Sequence, residues 1–100
     1  MNIEEYADIL NLTLVIRRYH NQSNRWSAAF EDCETKDDAT SSILASESGE
    51  GQTPAAAVND YVVKIQGKLL VQHAGSSNLR RDVIVPMTLT GLGKPQPCTP

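Results

Sequence analysis

The chain has 100 residues, of which 40% are apolar, and its 9 lysines and arginines against 12 aspartates and glutamates leave a net charge of −3, with a pI near 5.2. That length fits one domain with room for one sheet and one or two helices, burying roughly 60 to 65% of its unfolded surface. The acidic balance argues against general binding to nucleic acid or anionic membranes, which needs a clustered positive field, and no apolar run approaches the roughly 18 residues that span a bilayer.

The first ten residues carry Glu4, Glu5 and Asp8 and lack a basic n-region and an apolar h-region, so they do not read as a signal peptide. Ile3 to Leu10 forms a short helix with Tyr6, Ile9 and Leu10 on one side and no strong cap, and residues 1–11 are expected as an N-terminal extension or short helix outside the main domain. Leu12 to Tyr19 alternates as a strand, with Leu12, Leu14 and Ile16 facing one way and Thr13, Val15, Arg17 and Tyr19 the other. His20 to Asn24 is turn chemistry, and Trp26, Ala28 and Phe30 mark one face of a second strand, which completes a hairpin.

Glu31 to Asp38 holds five carboxylates and one lysine and is expected to be a solvated turn or extension. It lacks the frame of a calcium-binding EF-hand. Ser41 to Ser46 is expected as a short third strand that enters a Gly-rich loop. From Thr53 the chain writes a complete helix. Thr53 is a good N-cap, Pro54 sits at the first helical position, Val58, Tyr61, Val62 and Ile65 form one apolar stripe, and Gly67 supplies a left-handed stop. Lys68 to Gln72 and Arg80 to Pro86 are the last two strands. From Gly91 on, three prolines and two glycines in ten residues predict a disordered tail.

The expected architecture is α+β: a single domain over 12–90, with an antiparallel sheet of about five strands (ββ(β)αββ) and one main helix packed on one face. The other face would leave Val15, Tyr19 and part of Leu69 to Val71 in water, so a second copy is expected to cover it and make a homodimer.

Candidate ligand residues are of two kinds. Arg17, Arg18, Arg25, Arg80 and Arg81 lie on strands or strand edges, and their planar forks suit phosphates and carboxylates. Trp26, Tyr19 and Tyr61 could stack on a base. The competing reading has these arginines solvated and paired with Glu31, Asp32 or Asp82, and alternation sends only one of each adjacent pair to a given face. Gly51 and Thr53 belong to the loop that leads into the helix N-terminus, where free N–H groups attract anions. Alternatively the glycines only supply turn dihedrals, with Glu47 and Glu50 adding negative charge where a phosphate would sit. His20 and His73 fall in loops with no ligand partners at metal spacing. Cys33 and Cys98 lack C-x-x-C spacing and read as free thiols of a cytoplasmic protein, and Cys33 sits among carboxylates that make it a poor nucleophile. No G-x-S-x-G is present, and neither an enzyme nor a cofactor is expected.

Trp26-Ser-Ala-Ala-Phe, then Gly49-Glu-Gly-Gln-Thr-Pro-Ala-Ala-Ala-Val and Asp60-Tyr, resemble the HicB-like antitoxin domain over about residues 12–66. That family's Pro-Gly-Cys turn is absent here. With Gly67-Lys-Leu-Leu-Val and Arg80-Arg-Asp-Val-Ile-Val-Pro, the chain also resembles small phage-encoded anti-defence proteins of the anti-Thoeris sponge kind. This second resemblance implies a viral protein in the host cytoplasm that sequesters a small phosphate-bearing, nucleotide-derived immune signal without catalysis, and it carries no ligand residue over by motif. The alternative is a protein-interaction inhibitor or HicB-like antitoxin module that uses the acidic run Glu31 to Asp38 against a basic partner.

Overall fold

The computed structural model describes residues 1–20, 25–38, 40–41 and 43–91. The chain runs α1 (Ile3–Leu10), β1 (Leu14–Arg18), β2 (Trp26–Phe30), β3 (Cys33–Lys36), β4 (Gly49–Gly51), α2 (Pro54–Ile65), β5 (Leu69–Gln72) and β6 (Arg81–Ile84). The fold is α+β as expected, but the single five-stranded sheet is replaced by two antiparallel three-stranded sheets, ordered β1-β2-β4 and β3-β5-β6, and there are two helices. Asp32, with φ of 57°, turns the chain from β2, the middle strand of the first sheet, into β3, an edge strand of the second.

Helix α2 follows its sequence signals. The Thr53 hydroxyl accepts the Ala56 N–H at 3.0 Å, Pro54 opens the first turn, and Gly67 adopts φ of 76°. The predicted stripe of Val58, Tyr61, Val62 and Ile65 is buried together with Ala57. It packs against Ala28 and Phe30 of β2, and the Phe30 and Tyr61 rings meet edge to face at 5.6 Å.

Three segments depart from expectation. The acidic run is not all solvated, since Cys33–Lys36 is β3, paired with β5. Thr35 faces the core at 2% exposure and its neighbour Lys36 bonds Asp82 at 3.3 Å, so the charges lie on the outward face or are paired. The third strand of the first sheet is Gly49–Gly51, within the predicted loop, while the described residues of Ser41 to Ser46 contribute only the Thr35–Ala45 bridge. Finally, α1 does have a strong cap. Asn2 accepts the Glu5 N–H at 2.8 Å and donates its own N–H to Glu5 at 2.9 Å, a capping box.

Helix α1 is also no appendage. Ile3, Tyr6 and Ala7 are buried in the same core as α2. The Ile3 N–H bonds the Thr90 carbonyl at 2.8 Å and the Thr90 N–H bonds the Met1 carbonyl at 3.1 Å, which ties the first residues to the end of the described chain. The hairpin turn at 21–24, Ser42 of the expected third strand and the tail over 92–100, with Cys98, lie outside the described residues.

Candidate functional site

Register decides which candidate residues share a face. Leu14, Ile16 and Arg18 of β1 pair with Phe30, Ala28 and Trp26 of β2, and Trp26 pairs in turn with Gly51. Phe30 and Ala28 are buried against α2, so Arg18, Trp26 and Gly51 form the last row on the helix side. The opposite face is open, and it carries the row Arg17, Ser27 and Glu50. As alternation required, Arg17 and Arg18 point apart.

Beyond that row, the Tyr19 N–H bonds the Arg25 carbonyl at 2.9 Å. The Tyr19 hydroxyl donates to Glu50 Oε2 at 3.2 Å, the Arg25 guanidinium is ion-paired to the other Glu50 oxygen, and it stands 5.7 Å from the Tyr19 ring centroid. The Arg25 hydrogen bond, then that of Tyr19, holds the Glu50 carboxyl below its usual range. Arg25 is therefore committed. Arg17 makes no ion pair among the described residues. It lines a groove of about 250 Å³ with Val15, Ser27, Ala29, Glu31 and Asp32, so the groove is basic at one end and acidic at the other.

The remaining candidates go elsewhere. Arg81 opens β6, in the other sheet, and Arg80 immediately precedes it. Arg80 makes two bonds to Asp82, at 3.0 and 3.2 Å, and Arg81 donates to the Leu10 carbonyl at 2.6 Å and to Gln72. Tyr61 is 1% exposed and cannot stack on a ligand. Its hydroxyl accepts the Phe30 N–H at 3.2 Å, and burial pushes its pKa up to about 12.

The Gly-rich loop has a packing explanation. A Cβ on Gly49 would lie 2.1 Å from the Ala57 carbonyl oxygen and 2.3 Å from the Tyr61 nitrogen, and one on Gly51 would lie 2.8 Å from the Ala57 nitrogen. Only glycine lets β4 lie this close to α2. Donors that would cradle a phosphate are already used: the Ala56 N–H by Thr53 Oγ1, the Ala57 N–H by the Thr53 carbonyl at 3.0 Å, and the Glu50 N–H by Asp60 at 2.9 Å. Gly51 thus builds the helix–strand contact and Thr53 caps the helix, the structural one of the two readings the loop offered.

A larger cleft of about 510 Å³ lies at the start of β3 beside the loop that follows β5, lined by Asp32, Cys33, Glu34, Ser46, His73 and Ser76. Burial, then the Asp32 charge, pushes the Cys33 thiol up to about 11, so it stays protonated at neutral pH. The cleft's carboxylates do not suit an anion. Among the described residues no three of His, Cys, Asp and Glu are grouped to hold a metal ion, and no helix is long and apolar enough to cross a membrane.

What the fold and the site define is a small α+β domain with one sheet face packed by a helix and the other bare and carrying an unpaired arginine. No family model, curated protein or solved structure matches the chain.

Proposed function

We propose that the chain is a non-enzymatic binding module that sequesters a small phosphate-bearing nucleotide on the open face of the β1-β2-β4 sheet. The observation that carries this reading is Arg17, unpaired among the described residues and held by β1 one row from the Tyr19 ring. The resemblance to anti-defence sponges makes the ligand a nucleotide-derived immune signal and the protein viral and cytoplasmic, while the uncovered sheet face is what makes its working form a homodimer. The protonated Cys33 thiol supports binding over nucleophilic catalysis.

The energetics favour a modest affinity per copy. A bidentate arginine–phosphate contact contributes about 1.5 to 3 kcal/mol and a stacked base about 1 to 3 kcal/mol. Arg25 must exchange Glu50 for a phosphate, one anion for another, so its net gain is small and Arg17 supplies most of the recognition. The sum stays weaker than the about 8 kcal/mol of micromolar binding, and it falls with added salt because the face is exposed.

Native mass spectrometry of the purified protein after incubation with extracts of infected or immune-activated cells, followed by heating, tests the reading. An intact nucleotide released on heating is the expected result. A hydrolysed or cyclised product would point to an enzyme, and a co-purified protein with no small molecule would favour the interaction inhibitor that uses Glu31 to Asp38.

A further inference from the structure

Strand β1 is an edge strand, and its backbone geometry specifies what can pair with it. The Tyr19 N–H bond to the Arg25 carbonyl and the Glu31 N–H bond to the Thr13 carbonyl set the phase of the β1–β2 ladder. Odd-numbered Val15 and Arg17 turn their backbone groups toward β2, and Leu14, Ile16 and Arg18 turn theirs outward. Among the described residues no strand lies on that side. An unpaired row of donors and acceptors is a template for another strand, and Ile16, 37% exposed at its centre, adds an apolar contact.

A second copy of this chain fits that edge in one register better than in its neighbours. Two identical strands related by a two-fold axis normal to the sheet must pair even with even and odd with odd positions, because both copies show the same face. Centring the axis on Ile16 sets Leu14 against the partner's Arg18, Ile16 against the partner's Ile16, and Arg18 against the partner's Leu14. All three outward residues are then hydrogen-bonded pairs, and no arginine faces an arginine. A shift of the axis toward Arg17 loses one pair and sets Arg17 directly against the partner's Arg17, a repulsive contact; a shift toward Val15 also loses one.

We propose that two copies join antiparallel through β1 in the register centred on Ile16, and that the partner's Arg17 completes the anion site on the open face. This rests on the reading of that face as the ligand surface. In the paired sheet Arg17 stands opposite the partner's Val15 and diagonal to the partner's Arg17, with their Cβ atoms about 7 to 8 Å apart. Two guanidiniums at that spacing repel each other unless an anion lies between them. The fitting ligand class is one with two adjacent phosphates, and it binds the dimer more tightly than the single copy. This supplies a second free arginine on that face, where one copy has only Arg17, since its exposed Arg18 points to the helix side.

Three measurements test the proposal. Light scattering at micromolar concentration should give a dimer, and hydrogen exchange of the unaltered protein should show the Leu14, Ile16 and Arg18 amides protected at high concentration and losing protection on dilution. In a Cys33→Ser, Cys98→Ser background, Ile16→Cys should oxidise to a covalent dimer, because the opposed Cα atoms are about 5.5 Å apart and within disulfide reach, whereas Arg18→Cys should not. Inorganic pyrophosphate should lower the dimer dissociation constant at least about threefold for the parent chain and leave Arg17→Ala unchanged. A monomer with unprotected Ile16 overturns both the pairing and the homodimer reading. A dimer in which Arg18→Cys cross-links instead, or the three amides exchange freely, overturns this interface alone. Cross-linking as expected with no pyrophosphate effect overturns the shared anion site and leaves the pairing standing.

Discussion

At the scale of single residues, the decisive side chains are those whose partners are already in the chain. Arg25 with Glu50, Arg80 with Asp82 and Arg81 with the Leu10 carbonyl are occupied, which leaves Arg17 as the candidate whose charge is available on an open face. Glycine identity matters where β4 meets α2. Gly49→Ala should destabilise by about 1 to 3 kcal/mol or more through backbone overlap with Ala57 and Tyr61, and chemical denaturation measures it; an unchanged midpoint would return the loop to a ligand role. Acid stability follows from Asp60. Its carboxyl lies below the usual range, first through the Glu50 N–H and then through Lys64. A carboxyl lowered on folding contributes stability that is fully present above its unfolded value of about 4 and is lost as pH falls through the lower folded value. Urea denaturation across that window should show stability falling from about pH 4 downward, with a shallower fall in Asp60→Asn. Equal slopes for both proteins would remove Asp60 from the account.

At the scale of elements, legibility tracked whether side chains or close backbone contact makes the element. Helix α2 was readable from its cap, proline, stripe and stop because each of those signals is local. Val62→Ala should cost about 1 to 3 kcal/mol and Thr53→Ala about 1 kcal/mol in denaturant unfolding; a neutral Val62→Ala would mean that the stripe does not face the core. Strand β3 was missed because its inward positions are the small polar Cys33 and Thr35, and its outward Lys36 is paired across the sheet with Asp82, so the run reads as solvated charge until β5 and β6 are beside it. Strand β4 was missed because it has no inward side chain at all, only Gly49 and Gly51 against α2. The capping box of α1 was written in Asn2 and Glu5, but its packing depends on Thr90, far along the chain. Asn2→Ala should therefore cost about 0.5 to 2 kcal/mol, read by denaturant unfolding.

At the scale of the whole molecule, the division of arginines between faces was legible from alternation, and so was Asp82 as an arginine partner, whereas Glu50 as the partner of Arg25 was not. The Arg25–Glu50 ion pair and the turn at Asp32 that splits the expected sheet in two depend on which strands become neighbours, and no local pattern encodes that. The result is a domain with one bare sheet face, one free arginine on it and an edge strand beside it. The most direct test is to repeat the native mass spectrometry of extract-exposed protein with Arg17→Ala and, as a control on the other sheet, Arg80→Ala. The account predicts that Arg80→Ala retains an intact nucleotide as the parent chain does and that Arg17→Ala loses it by at least about tenfold, the loss of one charged contact. Equal retention by Arg17→Ala, or loss from Arg80→Ala alone, would contradict it.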